Sequence, residues 1–301
     1  MVRNIGIFLL LLTLGTQVAK SADQKLIKDV EVKEIGGGGK SIKVLPAGVD
    51  QQEVTYDVTN PDLVARLPHL QAGDHLSIIV EPKDAGGTLE ALVLNEAHVA
   101  VNERAETLIL VIIGWLVLGF VISKGRFVSL IRGEDGRYSN SKFQAVIWFS
   151  VVIVVYGSNL VLRGLRLGVG LMSVNIPEHL LLLSGLSAFS FAAAKGITVT
   201  KIQNAVAQGA PPPKQDVPSK GLIEDLTTND SNQLDLGDFQ MLVITLIAVV
   251  TYGFVAFDAL GTLPAVAGAM MPDVDSTILA AFGLGQGAYL TKKAVGNVGD
   301  S

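Results

Sequence analysis

Thr107 to Ser123 reads TLILVIIGWLVLGFVIS, an uncharged run long enough to cross a bilayer. Ala145 to Leu162 and Phe239 to Phe257 are runs of the same kind. His179 to Ala194 and Ser276 to Leu290 are shorter and rich in Gly, Ala and Ser, so hydropathy alone leaves them open. The basic residues decide. With five spans, Lys124, Arg126, Arg132, Arg137, Lys142, Lys195, Lys201, Lys214, Lys220, Lys292 and Lys293 all fall on one side. The loops 163–178 and 258–275 on the other side hold only Arg163 and Arg166. Eleven cations against two is the asymmetry of cytoplasmic and outer loops. With three spans, the lysines of the loop 195–238 would lie outside.

The composition agrees with a membrane protein. The chain has 301 residues, 49% hydrophobic and 17% charged, with a mean hydropathy of +0.46. Soluble domains carry about 25% charged residues. The net charge of −5 excludes the basic surplus of a nucleic-acid binder, so no nucleic-acid partner is expected. The absence of cysteine from the sequence excludes disulfides, thiolate metal sites, cysteine nucleophiles and a lipoprotein anchor.

Residues 1–21 have the form of a secretory signal peptide. Arg3 supplies the positive start, Ile5 to Leu14 the apolar core, and Ala19-Lys20-Ser21 a small-x-small cleavage site. An uncleaved anchor helix is the alternative. The signal reading places residues 22–104 outside, and the helix in 105–123 then runs inward.

Residues 22–104 carry 8 Lys/Arg against 14 Asp/Glu and lose the hydropathy. Alternating runs recur at Val30–Val32, Ser41–Leu45, Val54–Val58 and Leu76–Val80, which predicts half-buried strands. Gly36 to Gly39, Asn60-Pro61, Ala72-Gly73-Asp74 and Gly86-Gly87 mark turns. About five or six strands in roughly 80 residues suggest a small all-β domain, OB-like or a sandwich. The glycine run reads as a hairpin tip, since Ser41 opens a strand and not the helix that a phosphate loop requires. His69, His75 and His98 match no compact ligand spacing, so no metal site is expected.

The membrane part repeats itself at an offset near 97. Ser139, Phe143-Gln144 and Tyr156-Gly157 lie over Asp235, Phe239-Gln240 and Tyr252-Gly253. Gly185-Leu186-Ser187 lies over Gly283-Leu284-Gly285, and Lys195 over Lys293. Each unit, 133–196 and 229–294, is expected to be a hairpin of the same orientation, separated by a Pro-rich cytoplasmic linker 197–228 and followed by a tail 295–301. Ser139 and Asp235 are candidate helix caps. Gln144 and Gln240 would sit on the first turn, either as a paired polar site or as interfacial groups hydrogen-bonding the neighbouring hairpin. Gly185, Ser187, Ser190, Gly283, Gly285, Gln286 and Gly287 suit close helix packing, or alternatively a pore lining. Asp258 is expected to pair with Arg163 or Arg166 near the outer surface.

The turn Asp135-Gly136-Arg137-Tyr138-Ser139-x-Ser141-x-Phe143-Gln144 resembles one in uncharacterised bacterial membrane proteins. There a D-G-R-x-S-x-S-x-x-Q turn opens a span, and a Gly/Ser-rich span followed by lysine closes the unit. The second copy departs from it, with Asn232 and Gln233 in place of Gly-Arg. The resemblance implies topology and no activity.

The expectation is a bacterial inner-membrane protein with an outer β domain and an all-α five-helix membrane domain of two parallel hairpin repeats. Neither a catalytic motif nor a cofactor motif stands in the sequence, so a non-enzymatic assembly or accessory subunit is expected. Its partners would be the lipid bilayer, further copies or a membrane complex, and an extracytoplasmic protein. An oligomeric channel is the alternative.

Overall fold

The computed structural model describes residues 24–48, 52–83, 86–133, 136–209, 218–228 and 233–295. The expected signal peptide, most of the proline-rich stretch, the tail beyond 295, Asp135 and Asn232 lie outside the described residues. The elements begin with β1 (Lys25–Gly36), β2 (Ser41–Pro46), β3 (Val54–Asp57), α1 (Pro61–Arg66), β4 (His75–Lys83) and β5 (Gly86–His98). Then come α2 (Val101–Ile122), α3 (Asn140–Arg166), β6 (Val174–Asn175), α4 (Glu178–Ala207) and α5 (Leu222–Thr227). α6 (Leu236–Ala259), β7 (Thr262–Pro264), β8 (Ala269–Met270) and α7 (Ser276–Val295) close the chain. A β-sheet region thus precedes a mostly helical part. Four helices, α2, α3, α4 and α6, are long and apolar enough to cross a membrane.

Contacts divide the chain into two compact units. Of the described residues, the first holds 24–107, 158–175 and 258–269, and the second holds the rest.

In the first unit the strand order is β3-β2-β1-β4-β5-β7. A parallel bridge between Asp57 and Thr88 joins β3 to β5, so the five N-terminal strands close on themselves. Side chains alternate across a strand, and this fills the interior. Val30 and Val32 of β1, Ile42 and Val44 of β2, and Leu76, Ile78 and Val80 of β4 are buried in one core with Leu89. α1 adds Leu63 to that core. Its first turn is set by Pro61 and by Asn60, whose side chain accepts from the Asp62 N–H. Gly39 tips the β1–β2 hairpin at φ +91°, where a Cβ would stand 2.5 Å from the Val64 carbonyl oxygen.

The segments 158–175 and 258–269 are stitched to this sheet. β7 pairs antiparallel with β5, Leu263 opposite Ala97. Asp74 has a buried carboxylate that accepts from the backbone N–H groups of Gln71 and His98. It also takes Arg166 Nη2 at 2.9 Å. Arg163 is fully buried and donates to three carbonyl oxygens, those of Leu171, Pro264 and Val266, at 2.6–2.9 Å.

These contacts correct the ion pair expected between Arg163 and Asp258. The Arg163 guanidinium is spent on backbone carbonyls, and Arg166 pairs with Asp74. The Asp258 residue is exposed, and its backbone carbonyl accepts from Arg104 Nη1 at 3.4 Å. Two boundaries also differ. α4 runs on to Ala207, so helix occupies the start of the expected linker, and α5 forms near its end. Of the histidines, His75 Nδ1 lies 2.7 Å from Asp29 Oδ1.

Removing one member of a buried ion pair leaves the other charge uncompensated, at a cost of about 3–5 kcal/mol. Asp74→Ala is therefore expected to destabilise the first unit by about that much, and adding Arg166→Leu should recover part of the loss. Denaturation midpoints of the full chain in detergent, with hydrogen exchange at residues 96–99, check this.

Candidate functional site

The second unit is organised by one buried face on each helix. α6 buries Met241, Thr245, Ala248, Tyr252 and Ala256, spaced by three or four residues as an α-helix requires. α3 contributes Gln144 and Trp148, one turn apart, and α7 contributes Phe282 and Gln286, also one turn apart. The ring of Trp148 lies 5.9 Å from Tyr252 and 6.4 Å from Phe282, both tilted.

Beside these rings the two glutamines meet. Gln286 Nε2 donates to Gln144 Oε1. Gln144 Nε2 donates in turn to Thr245 Oγ1 at 2.6 Å and to the Met241 carbonyl at 3.2 Å. Thr245 closes the chain by donating to that same carbonyl at 2.8 Å. Both glutamines are at most 3% exposed, so each amide depends on these partners. The chain ties α3, α6 and α7 together by polar groups inside an apolar bundle.

The serine and glycine candidates divide into three groups. Ser187 and Ser190 are buried on α4, and their hydroxyls have no partner among the described residues. Gly283 and Gly285 sit in packed positions, where a Cβ would meet Leu186 Cδ1 at 3.9 Å and Ile244 Cδ1 at 3.4 Å. Gly185 and Gly287 are exposed, and a Cβ there meets nothing within 4 Å. Gln144 and Gln240 do not form a pair. Gln144 is buried, whereas Gln240 is exposed on the first turn of α6.

A second polar cluster lies at the helix starts. Asp235 caps α6, its Oδ1 accepting from the N–H groups of Gly237 and Asp238 at 2.8 and 3.2 Å. Lys292 of α7 pairs with its other oxygen. Ser139 precedes α3, where its Oγ lies 3.3 Å from Ser141 Oγ and its carbonyl accepts from Phe143. Arg137 holds Asp225 at 3.5 Å and donates to Thr228 Oγ1 at 2.8 Å. Asn140 donates to the Asp238 carbonyl at 3.0 Å. The two turns aligned by sequence are thus locked together. Each carries the same isolated β-bridge, Arg132–Tyr138 in the first and Thr228–Leu234 in the second.

Burial works to raise the Asp225 carboxyl. Hydrogen bonds from the Ser219 hydroxyl and the N–H groups of Tyr138 and Lys220, with the Arg137 charge, outweigh it and hold the group below its ordinary range. Sequence reasoning missed Asp225. Its one available signal was Arg137, the cation of the first turn that Gln233 replaces in the second.

Compared with known proteins, the chain matches no family model, no curated protein and no solved structure. Its own geometry carries the functional reading.

Two expectations follow. Gln144→Leu strands the Gln286 amide and should destabilise the bundle by about 1–3 kcal/mol, whereas Gln144→Leu with Gln286→Leu should cost less than the single change. A double-mutant cycle on unfolding midpoints in detergent measures the difference. The Asp225 bracket is fully present above the unfolded carboxylate pKa of about 3.9 and is lost as pH falls through the lower folded value. Protection of the Tyr138 and Lys220 amides, corrected for intrinsic exchange, should therefore hold at pH 5 and collapse only in stronger acid, and Asp225→Asn should abolish that acid step.

Proposed function

We propose that the protein is a non-enzymatic assembly or accessory subunit of the bacterial inner membrane, crossing it five times as two parallel hairpins after a first span. α2, α3, α4 and α6 supply four crossings, and α7 the fifth. The strand order closed by β3–β5, with α1 between β3 and β4, supports an OB-like barrel over a sandwich for the outer domain. That domain binds an envelope protein. The asymmetry of basic residues supports a cytoplasmic C-terminus.

The observation that carries the scaffold reading is the outward face of α4. Gly185, Ala188, Ala192 and Gly196 are all exposed at helical spacing, and a Cβ on either glycine meets nothing within 4 Å. α7 exposes Ala281, Gly287 and Ala288 in the same manner. Within hydrocarbon, small residues let a neighbouring helix approach closely and gain dispersion contacts that lipid tails fill less well. α2 also turns most of its apolar residues outward, Leu110, Val117, Phe120 and Val121 among them. These surfaces suit lipid and further copies of the chain.

One observation favours the channel alternative. The buried hydroxyls of Ser187 and Ser190 and the Gln286 Oε1 have no partner among the described residues. Polar groups of that kind are commonly satisfied by water, and a water path between helices would serve.

The two readings separate in native lipid particles. Gly185→Leu and Gly287→Leu change only exposed positions, so the fold should survive. The scaffold reading expects the particle mass to fall to that of a single chain, an assembly loss on the order of 1–2 kcal/mol per contact. An unchanged mass, with ion flux altered by Ser187→Ala or Gln286→Leu, would instead establish the channel.

A further inference from the structure

Just beyond α2 the chain folds back on the helix that it leaves. α2 is followed by a left-handed turn, Lys124 at φ +52° and Gly125 at φ +78°. The Lys124 N–H reaches the Val121 carbonyl at 3.1 Å and the Gly125 N–H the Phe120 carbonyl at 2.9 Å, the paired bonds that terminate a helix. One turn of 3₁₀ helix comes next, Phe127–Ile131. The Phe127 ring occupies the space where a Cβ on Gly119 would stand, so this turn is held against the side of α2.

The turn is anchored by one apolar side chain and exposes two others. Val128 and Leu130 are each nearly half exposed. Beside them α2 exposes Phe120, Val121 and Ile122.

Three cations are interleaved with these side chains. Lys124, Arg126 and Arg132 are all exposed, and residues 124–133 hold no acid. Among the described residues, no carboxylate pairs with any of the three. The Arg132 guanidinium lies 5.2 Å from the centre of the Tyr138 ring, and the Arg132 carbonyl accepts from Lys142 Nζ at 2.6 Å. Arg137, a few residues on, differs in being buried against Asp225. The acids that come next in the sequence, Glu134 and Asp135, lie outside the described residues.

We propose that this hooked segment, residues 124–132, binds the phosphates of anionic phospholipid headgroups. A phosphate offers negative charge and oxygen acceptors to guanidinium and ammonium donors. Val128 and Leu130 supply apolar surface where acyl chains begin, and uncompensated cations at the end of a span attract anionic lipid. A zwitterionic headgroup brings its own cation and gains less from the same groups. A water-soluble partner fits less well, because the exposed apolar surface leads directly into α2, a helix long and apolar enough to cross a membrane. The inference rests on the reading of α2 as a span, and on neither the scaffold nor the channel reading.

The chain has no cysteine, so Ser129→Cys or Leu118→Cys can carry a single bimane label on the full chain in nanodiscs. The quencher is a nitroxide on the acyl chain of phosphatidylglycerol or of phosphatidylcholine. At position 129 phosphatidylglycerol is expected to quench at a roughly tenfold lower mole fraction than phosphatidylcholine, since each cation near an anionic surface contributes several-fold. Arg126→Gln should reduce that preference several-fold, and Lys124→Gln, Arg126→Gln and Arg132→Gln together should bring it near parity. Sodium chloride at about 1 M should weaken it in the parent, as screening requires. Unchanged quenching at position 118 shows that the variants keep the span. The inference is overturned by equal quenching at 129 from both lipids in the parent, or by a preference that survives the triple change. It is also overturned if inorganic phosphate removes the preference where chloride of equal ionic strength does not, which marks a site for free anions. Quenching at 118 without quenching at 129 rejects the hook alone, whereas no quenching at either position rejects the span reading as well.

Discussion

The bundle depends on one polar contact, the amide of Gln286 on α7 donating to the amide of Gln144 on α3. In an apolar interior an unpaired amide costs several times what a typical hydrogen bond contributes. The contact is therefore less a source of stability than a condition on the arrangement. It requires α7 to face α3 at one register, with Thr245 of α6 close enough to take the Gln144 N–H. The same register sets Phe282 and Tyr252 about Trp148 one turn along. α7 is the helix that hydropathy marks least clearly, and the Gln144 acceptor satisfies the amide that Gln286 buries in the apolar bundle.

The ends of the helices are handled differently, by ions and caps. Asp235 uses one oxygen for the free N–H groups of α6 and the other for Lys292. Asp225 gathers four donors, counting Arg137 as one, and stays ionised despite its burial. In the first unit the Asp74 carboxylate accepts from Arg166 and from two backbone N–H groups. Arg163 shows the alternative solution, a buried cation satisfied by carbonyl oxygens. Each of these groups holds backbone that hydrophobic burial alone would leave free to slide.

Much of the fold was legible in the sequence because it rests on period. Val30, Ile42, Leu76 and their alternating neighbours read as strands and fill the core. The offset repeat reappears as two matching β-bridges and two matching helix pairs. Strand β5 was not legible. Its Leu-Glu-Ala-Leu composition suits a helix, and pairing along the whole of β4 overrides that preference. The end of α4 was missed because Lys195 reads as a boundary, although lysine is a good helix former. Of the site, the Asp235 cap and the importance of Gln144 were visible, since both are local to the repeated turn. The partner of Gln144 was not. One reading pairs it with Gln240 and the other gives it a partner in the neighbouring hairpin, and the fold brings in Gln286 from that hairpin. The Arg163–Asp258 pair failed for a related reason, because opposite charges in sequence do not reveal nearby carbonyls.

The central claim is that α7 crosses the membrane, which its contact with Gln144 makes possible. The chain has no cysteine, so a single cysteine can be placed at will. The most direct measurement compares impermeant maleimide labelling of Ser173→Cys, Lys220→Cys and Val295→Cys in intact cells and inverted vesicles. Labelling of position 173 from outside, and of 220 and 295 only from the cytoplasmic side, is the predicted result. Labelling of position 295 from outside, together with 173, would leave α7 on one side of the membrane and contradict the account.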